Sequence, residues 1–598
     1  MAHKDRTVNQ GGSMVEENLA RSIYVTTAGT DTSTPNCGKG KPSNETDVTL
    51  SCRGSSEVTS EVRGIASCER IPSMRTDKCY KAKTFQELYR GSEIQEFYRG
   101  ANVLVTGGTG FMGKVLVEKL LRSCPHISNI YLLVRCKKGK DVASRIEELF
   151  NDPLFEKLKA EDNGFRKKVI SVEGDCREPG LGLSPDDRER IVEHVNIVFH
   201  MAATVRFDEK LPIAVATNVL GTRDLMLLCQ DCTKIKAVVH VSTAYSYCNR
   251  SDIAEEFYDP PITGDRVVKL MECLDENTIT AITPTLLGAW PNTYTYTKAI
   301  AEDTVRTLAR DLPVGLFRPS IILCTRSDPL PGWIDNHYGP AGVVVGVGLG
   351  LIRTLHINEK TVGDMVPCDM AVNALLAAAW HIQERRRSGI EGIPVYNYVS
   401  SCENPITWDR YIKKSIEHSW QFPFEKSVWL VTLTNSNVYY LYKIYALFFH
   451  LLPAFVVDTV LFSVGQKPRA MKIYEKLHRF TGAISYFCTR QWKFSNQNVQ
   501  QLWSMISEED RKIFDFNICN LNWDRYLGES MMGVRKFLLK DDPRGHSDAM
   551  KKRYRLYWLH QGVKFPLILL FLWLCWLTTR TVFRLAGETA MIGKKIIT

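Results

Sequence analysis

ANVLVTGGTGFMGKVLVEKLLR, residues 101–122, decides the fold. Its opening run, Ala101–Val105, is apolar without helical spacing and reads as a buried strand. Val115–Arg122 then places apolar and charged residues at helical spacing. Between them lies a glycine-rich turn, Thr106, Gly107, Gly108, Thr109, Gly110, Phe111, Met112 and Gly113, and the strand–turn–helix context gives it chemical meaning. Gly107, Gly110 and Gly113 permit a tight turn, close backbone approach to a pyrophosphate and packing of the helix on a sheet, while the helix N-terminus offers oriented N–H groups.

Outward from this stretch, apolar runs at Ile130–Val134, Val169–Val172, Asn196–His200, Ala237–Val241 and Val314–Phe317 alternate with helical stretches such as Ala216–Cys229. Strands alternating with helices predict an α/β fold with a doubly wound, mostly parallel Rossmann-type sheet. From about Ser401 the texture changes to Trp, Tyr, Phe and helix formers, predicting a mainly helical C-terminal domain. The expected organisation is an N-terminal extension over 1–91, a nucleotide-binding domain over 92–400, a helical domain over 401–542, and a basic-flanked apolar tail over 543–598. The extension is rich in Ser, Thr, Asn and Gly and reads as disordered. Glu16, Glu17 and Asp31 speak against a transit peptide, and no apolar stretch of signal-peptide length opens the chain, so the catalytic part is expected to face the cytosol.

With 598 residues, 44% of them hydrophobic, the chain can build several cores. A mean hydropathy of −0.16 excludes a many-pass membrane protein. The formal charge of +10 suits an anionic substrate or a membrane surface and does not call for nucleic acid. The 17 cysteines are too few for a disulfide scaffold and read as mostly reduced thiols. No metal cluster is expected.

Two segments raise the question of a membrane. Val438–Leu461 contains Lys443, His450, Pro453 and Asp458, which are costly in hydrocarbon, so a buried or membrane-resting helix pair fits better than a span. Phe565–Leu577 carries no charge and includes Trp573 and Trp576. At 1.5 Å per residue it falls short of a core of about 30 Å, leaving a tilted span with its flanks or a shallow hairpin.

The strand Ile130–Val134 ends in Arg135, where an NAD site would place an acidic residue on the ribose hydroxyls. The reversed charge suits a 2′-phosphate and predicts NADPH, with Lys137 and Lys138 as support. Asp175 and Ala202 follow the third and fourth strands, where the adenine and the cofactor's bridge would run. Tyr294 and Lys298 are four residues apart, just before the helical stretch Ala299–Leu308, and so share a helix face. Tyrosine proton transfer at neutral pH calls for a nearby cation that favours the phenolate, and Lys298 can supply it. Ser242 and Thr243 close the strand Ala237–Val241, where either hydroxyl can hold a developing oxyanion.

At these residues the chain resembles the extended short-chain dehydrogenase/reductases, and more narrowly the fatty acyl-CoA reductases of the male-sterility type. Besides residues 102–122, the segments VNIVFHMAATVRFDEKL (195–211), HVSTAYSYCN (240–249), YTYTKAIAE (294–302), RPSII (318–322), GWIDN (332–336) and GDMVPCDMAVN (363–373) carry the resemblance in order. It covers about Ser92–Asp542, and the tail after residues 553–562 is most like the insect members. The resemblance implies a catalytic set of Tyr294, Lys298 and Thr243 or Ser242, with Gly107, Gly110, Gly113 and Arg135 on NADPH. It also implies a fatty acyl-CoA substrate, reduced through a bound aldehyde to a primary alcohol and free CoA. Gly339–His356, rich in small and apolar residues, either lines an acyl channel or packs as a core element. Attachment to the endoplasmic reticulum or peroxisomal membrane is expected, and a homo-oligomer is compatible with it. The rivals are a two-electron reductase of another lipid, aldehyde-forming or sterol-type, and a non-catalytic NADPH-binding membrane scaffold.

Overall fold

Each predicted strand finds a parallel neighbour. The computed structural model describes residues 91–137 and 139–597, so the expected extension, apart from Gly91, and the supporting Lys138 lie outside the described residues. In chain order the elements that frame the site are β1 (Asn102–Thr106), α1 (Phe111–Ser123), β2 (Asn129–Val134), α2 (Val142–Phe150), β3 (Val169–Glu173), β4 (Ile197–His200), α3 (Leu211–Asp231), β5 (Ala237–Val241), α4 (Thr293–Leu308), β6 (Val314–Pro319), α5 (Pro340–Gly348), α6 (Cys368–Arg387) and β7 (Val395–Tyr398). The sheet runs β7-β6-β5-β4-β1-β2-β3, all parallel. The order reverses beside β1, and the crevice outside the strands' carboxyl ends at such a switch point is where open α/β sheets bind ligands.

The central strands are buried along their whole length because helices cover both faces, which is why they read as continuous apolar runs. α6 lies close to the sheet because Ala371, Ala374, Ala377, Ala378 and Ala379 take up little room. β7 escaped the sequence reading. Its VYNY is four residues long and contains Asn397, whose Nδ2 donates to Ser495 O at 2.9 Å instead of facing apolar neighbours. α4 starts at Thr293 rather than after Lys298, because Asn292 caps it by accepting from Thr295 N at 2.9 Å.

The region after Ser401 is helical, but short pairings tie it to the α/β body. Lys493–Phe494 runs parallel to Asp252–Ile253, and Glu255 accepts from Asn498 N at 2.7 Å. Three long helices follow: α7 (Tyr439–Ser463), α8 (Ala470–Cys488) and α9 (His546–Ile597). α7 is one continuous helix interrupted by a π-bulge at Leu447–Leu451, not the pair expected over Val438–Leu461. α9 is likewise unbroken, which removes the shallow hairpin. Among the described residues three helices are long and apolar enough to cross a membrane, α3 among them, but α3 is largely buried in the body and serves as a core helix. The described cysteines are free thiols, including Cys229 and Cys232 at the end of α3.

Candidate active site

The predicted residues gather along the carboxyl edge of the sheet. Gly107 turns the chain out of β1 at φ +78°, and a Cβ there would lie 2.8 Å from Ala202 N. At Gly113 a Cβ would lie 2.2 Å from Gly107 O, so helix and loop can close on each other at glycine alone. Gly110 is the N-cap of α1 and provides no side-chain acceptor, leaving the first-turn N–H groups to an external anion. This cradle fits a dinucleotide pyrophosphate.

Thr106 Oγ1 accepts from Met201 N and Ala202 N, both at 3.2 Å, so its proton goes to His200 Nδ1 at 2.8 Å. His200 Nε2 then donates to Thr222 Oγ1 at 3.0 Å, and Thr222 donates to Asn218 O at 2.7 Å. Burial holds His200 down at about 3, so it stays neutral and this directed chain fixes its tautomer. Asn218 was missed by the sequence reading. It sits in the π-bulge Ala216–Leu220 of α3, accepts from Thr204 N at 2.9 Å and donates to Thr297 Oγ1 at 2.9 Å, linking α3 to α4.

At the end of β2, Arg135 is 3.5 Å from Asp175, which also binds Arg177. A second guanidinium, also missed by the sequence reading, stands beside it. Arg145 on α2 donates to Arg135 O at 2.6 Å and to Thr109 Oγ1 at 2.8 Å. Burial and the charge of Arg135 push the Arg145 pKa down. Two like charges held together next to the glycine loop suit an anion between them.

The structure separates the two hydroxyls that end β5. Ser242 Oγ donates to Glu302 Oε1 at 2.5 Å, and Glu302 forms a wholly buried ion pair with Arg318 at 2.6 Å. Arg318 also donates to Ala254 O and Glu256 O, so the pair is fully hydrogen-bonded. Ser242 therefore belongs to a buried anchor. Thr243 Oγ1 accepts from Tyr245 N at 3.2 Å, and its hydroxyl lies beside the Tyr294 phenol. The Tyr294 ring stacks on Phe207, with centroids 6.0 Å apart.

Lys298, on the same face of α4, donates to Val241 O at 2.8 Å. Burial lowers its pKa to about 8 against the opposing pull of Glu302. Tyr294 is pushed up to about 12 by burial, with the neighbouring Thr243 hydroxyl resisting. Desolvation prevails at Tyr294, so the resting side chain is the protonated phenol and can act as a proton donor at neutral pH. In Gly339–His356, read as either a channel lining or a core element, Gly346 and Gly348 serve close packing. A Cβ at Gly346 would strike Ile352, and one at Gly348 would strike Phe424.

Two family models, both described as male sterility protein, match residues 105–375 and 449–541. The chain is 45% identical over 458 residues to the fatty acyl-CoA reductase wat of Drosophila melanogaster, covering 77% of this chain and 88% of that protein. It is 38% identical over 469 residues to fatty acyl-CoA reductase 1 of Homo sapiens, covering 78% and 90% respectively. Among solved structures it is similar to the reductase domain of a non-ribosomal peptide synthetase from Mycobacterium tuberculosis, with a TM-score of 0.47 and 19% identity over 74% of this chain and 92% of that one.

Proposed function

Since this chain belongs to the fatty acyl-CoA reductases, oxidoreductases that use a nicotinamide cofactor, we propose that its cofactor is NADPH and that it reduces long-chain or very-long-chain acyl-CoA, with release of free CoA, to a bound aldehyde and then, with a second NADPH, to the primary alcohol. The observation that carries this reading is the Thr243–Tyr294 pair beside Lys298, at the sheet edge next to the glycine cradle. When bound, NADPH supplies the hydride. Arg135 and Arg145 hold its 2′-phosphate, and the Gly107–Gly113 loop holds its pyrophosphate.

Thr243 donates a hydrogen bond to the substrate's carbonyl oxygen while Tyr245 N fixes the threonine oxygen. Tyr294, protonated at neutral pH, passes its proton to the same oxygen as negative charge builds there. Lys298 steadies the phenolate left behind, being itself oriented by Val241 O. Ser242 orients Glu302 and does no chemistry on substrate. Residues 92–400 form the reductase domain in this proposal and 401–542 the helical domain. α9 attaches the enzyme to the endoplasmic reticulum or peroxisomal membrane with the site facing the cytosol.

The test is stoichiometry. Detergent-solubilised enzyme is supplied with saturated acyl-CoAs of graded length, and NADPH consumption and lipid products are measured together. Two NADPH per alcohol is expected. One NADPH with accumulating aldehyde would reject the four-electron reading.

A further inference from the structure

We infer that the outer face of α7 lies in the surface of a lipid leaflet, as a second membrane contact beyond α9; the inference rests on the membrane reading above. α7 is built inside out. Its buried stripe is Tyr442, Ala446, His450, Ala454 and Asp458, which includes the helix's histidine and its carboxylate. Its exposed side carries large apolar residues, with Phe455 62% exposed and Phe462 73% exposed, and Ile444, Phe448, Val456 and Val460 also outward. Water-facing helices show the opposite pattern, polar outside and apolar within. A spacing of four would drift around an ideal 3.6-residue helix, and the wider turn of the π-bulge at Leu447–Leu451 offsets that drift.

The histidine and the carboxylate on the inner side are both hydrogen-bonded. Asp458 accepts from Arg469 N, Ala470 N and Met471 N and so caps α8. His450 accepts from Arg353 N at 2.9 Å and donates through Nδ1 to His478 Nε2 at 2.9 Å. With Asp458 against Ala470 and His450 against His478, α7 and α8 form an antiparallel hairpin.

That hairpin cannot cross a bilayer, because α8 carries Lys472, Glu475, Lys476 and Arg479 along its length. It can lie in the plane of the interface with α7 sunk into the acyl boundary. The charge fits the anionic side of a membrane: between Val438 and Arg490 seven Lys and Arg stand against two acidic residues, and Asp458 is one of those two. The inner side of α7 is also linked to α9. Arg353, bonded to His450, lies over the Trp429 ring, and Trp429 Nε1 donates to His560 of α9 at 3.2 Å, five residues before the apolar run opens at Phe565. At its other end α8 presents Phe487, 5.3 Å from Phe207, which stacks on Tyr294. The hairpin that borders the leaflet therefore ends one aromatic ring away from the catalytic tyrosine, giving a membrane-dissolved acyl chain a path toward it.

The experiment places the photocrosslinker p-benzoylphenylalanine at Phe455, Phe462, Phe571 or Ile390 of the full-length chain, reconstituted in vesicles of phosphatidylcholine with one-fifth phosphatidylserine. Phe455, Phe462 and Phe571 are expected to capture lipid, and Ile390, exposed on the α/β body, is not. Lipid capture at Phe571 without capture at Phe455 and Phe462 overturns the inference and leaves membrane attachment by α9 standing. Capture of a second copy at Phe455 overturns it in favour of a protein interface. No lipid capture at any of the three rejects both. As a kinetic check, Phe455→Asp with Val456→Asp should raise KM for vesicle-bound long-chain acyl-CoA at least tenfold, with kcat unchanged. An unchanged KM would mean that the face does not serve substrate entry.

Discussion

Replacing Glu302 by Gln keeps the shape of the side chain and removes its charge. In the native protein Glu302 and Arg318 are both fully buried and paired at 2.6 Å, and Ser242 and two backbone carbonyls complete their hydrogen bonding. Removing one partner leaves the Arg318 charge buried and unmatched, which costs about 3–5 kcal/mol. With unfolding entropy near 2.1 cal/mol/K per residue, a folded body of roughly 450 residues has an entropy of unfolding of about 1 kcal/mol/K, so the melting temperature should fall by about 3–5 °C. Glu302→Leu with Arg318→Met removes both charges and should recover most of that loss, because well-packed apolar replacements of a buried pair are often neutral or better. Glu302 also opposes the desolvation of Lys298, so Glu302→Gln should move the alkaline limb of the activity profile to lower pH. The assay is differential scanning fluorimetry of the detergent-solubilised full-length chain, with NADPH oxidation followed against pH. A single variant melting within a degree of the native protein, or a double variant no better than the single, would refute the picture of a desolvated anchor beneath the catalytic lysine.

Tyr294→Phe should lower kcat by a factor of about 10²–10⁴, the usual worth of a general acid, while cofactor titration shows binding retained; near-normal turnover would remove Tyr294 from the proton path. Thr243→Val should lower kcat at little cost in stability, and Ser242→Ala should do the reverse, so equal kcat losses would contradict the division of roles between them. Charge reversal at Arg135 or removal of Arg145 by Arg145→Ala should weaken NADPH binding far more than NADH binding, and matched losses would place the 2′-phosphate elsewhere. The Lys298 pKa is lowered to about 8, so its ammonium is present below that pH and lost above it, and kcat/KM should fall as pH rises through about 8. A flat profile from pH 7 to 9.5 would show that the lysine charge is not required.

What depends on neighbours along the chain was legible in the residues alone. A strand, a glycine turn and a helix within residues 101–122 specify a nucleotide cradle, since the geometry of that turn is local. Tyr294 and Lys298 share a face because a helix repeats every 3.6 residues. Five of the six sheet strands beyond β1 were legible as apolar runs; β7, short and carrying Asn397, was not. The tertiary structure decided what depends on distant partners and on water. Ser242 and Thr243 are adjacent and chemically alike, and their separation into anchor and substrate-facing hydroxyl comes from where Glu302, 60 residues on, and Tyr294 are delivered. Arg145 joins Arg135 because α2 folds back over the end of β2, and Asn218 joins Thr297 because a π-bulge turns its side chain toward α4. The protonation of Tyr294 follows the same logic, because desolvation is set by the packed surroundings of a residue, and no spacing of letters encodes how much water a fold excludes.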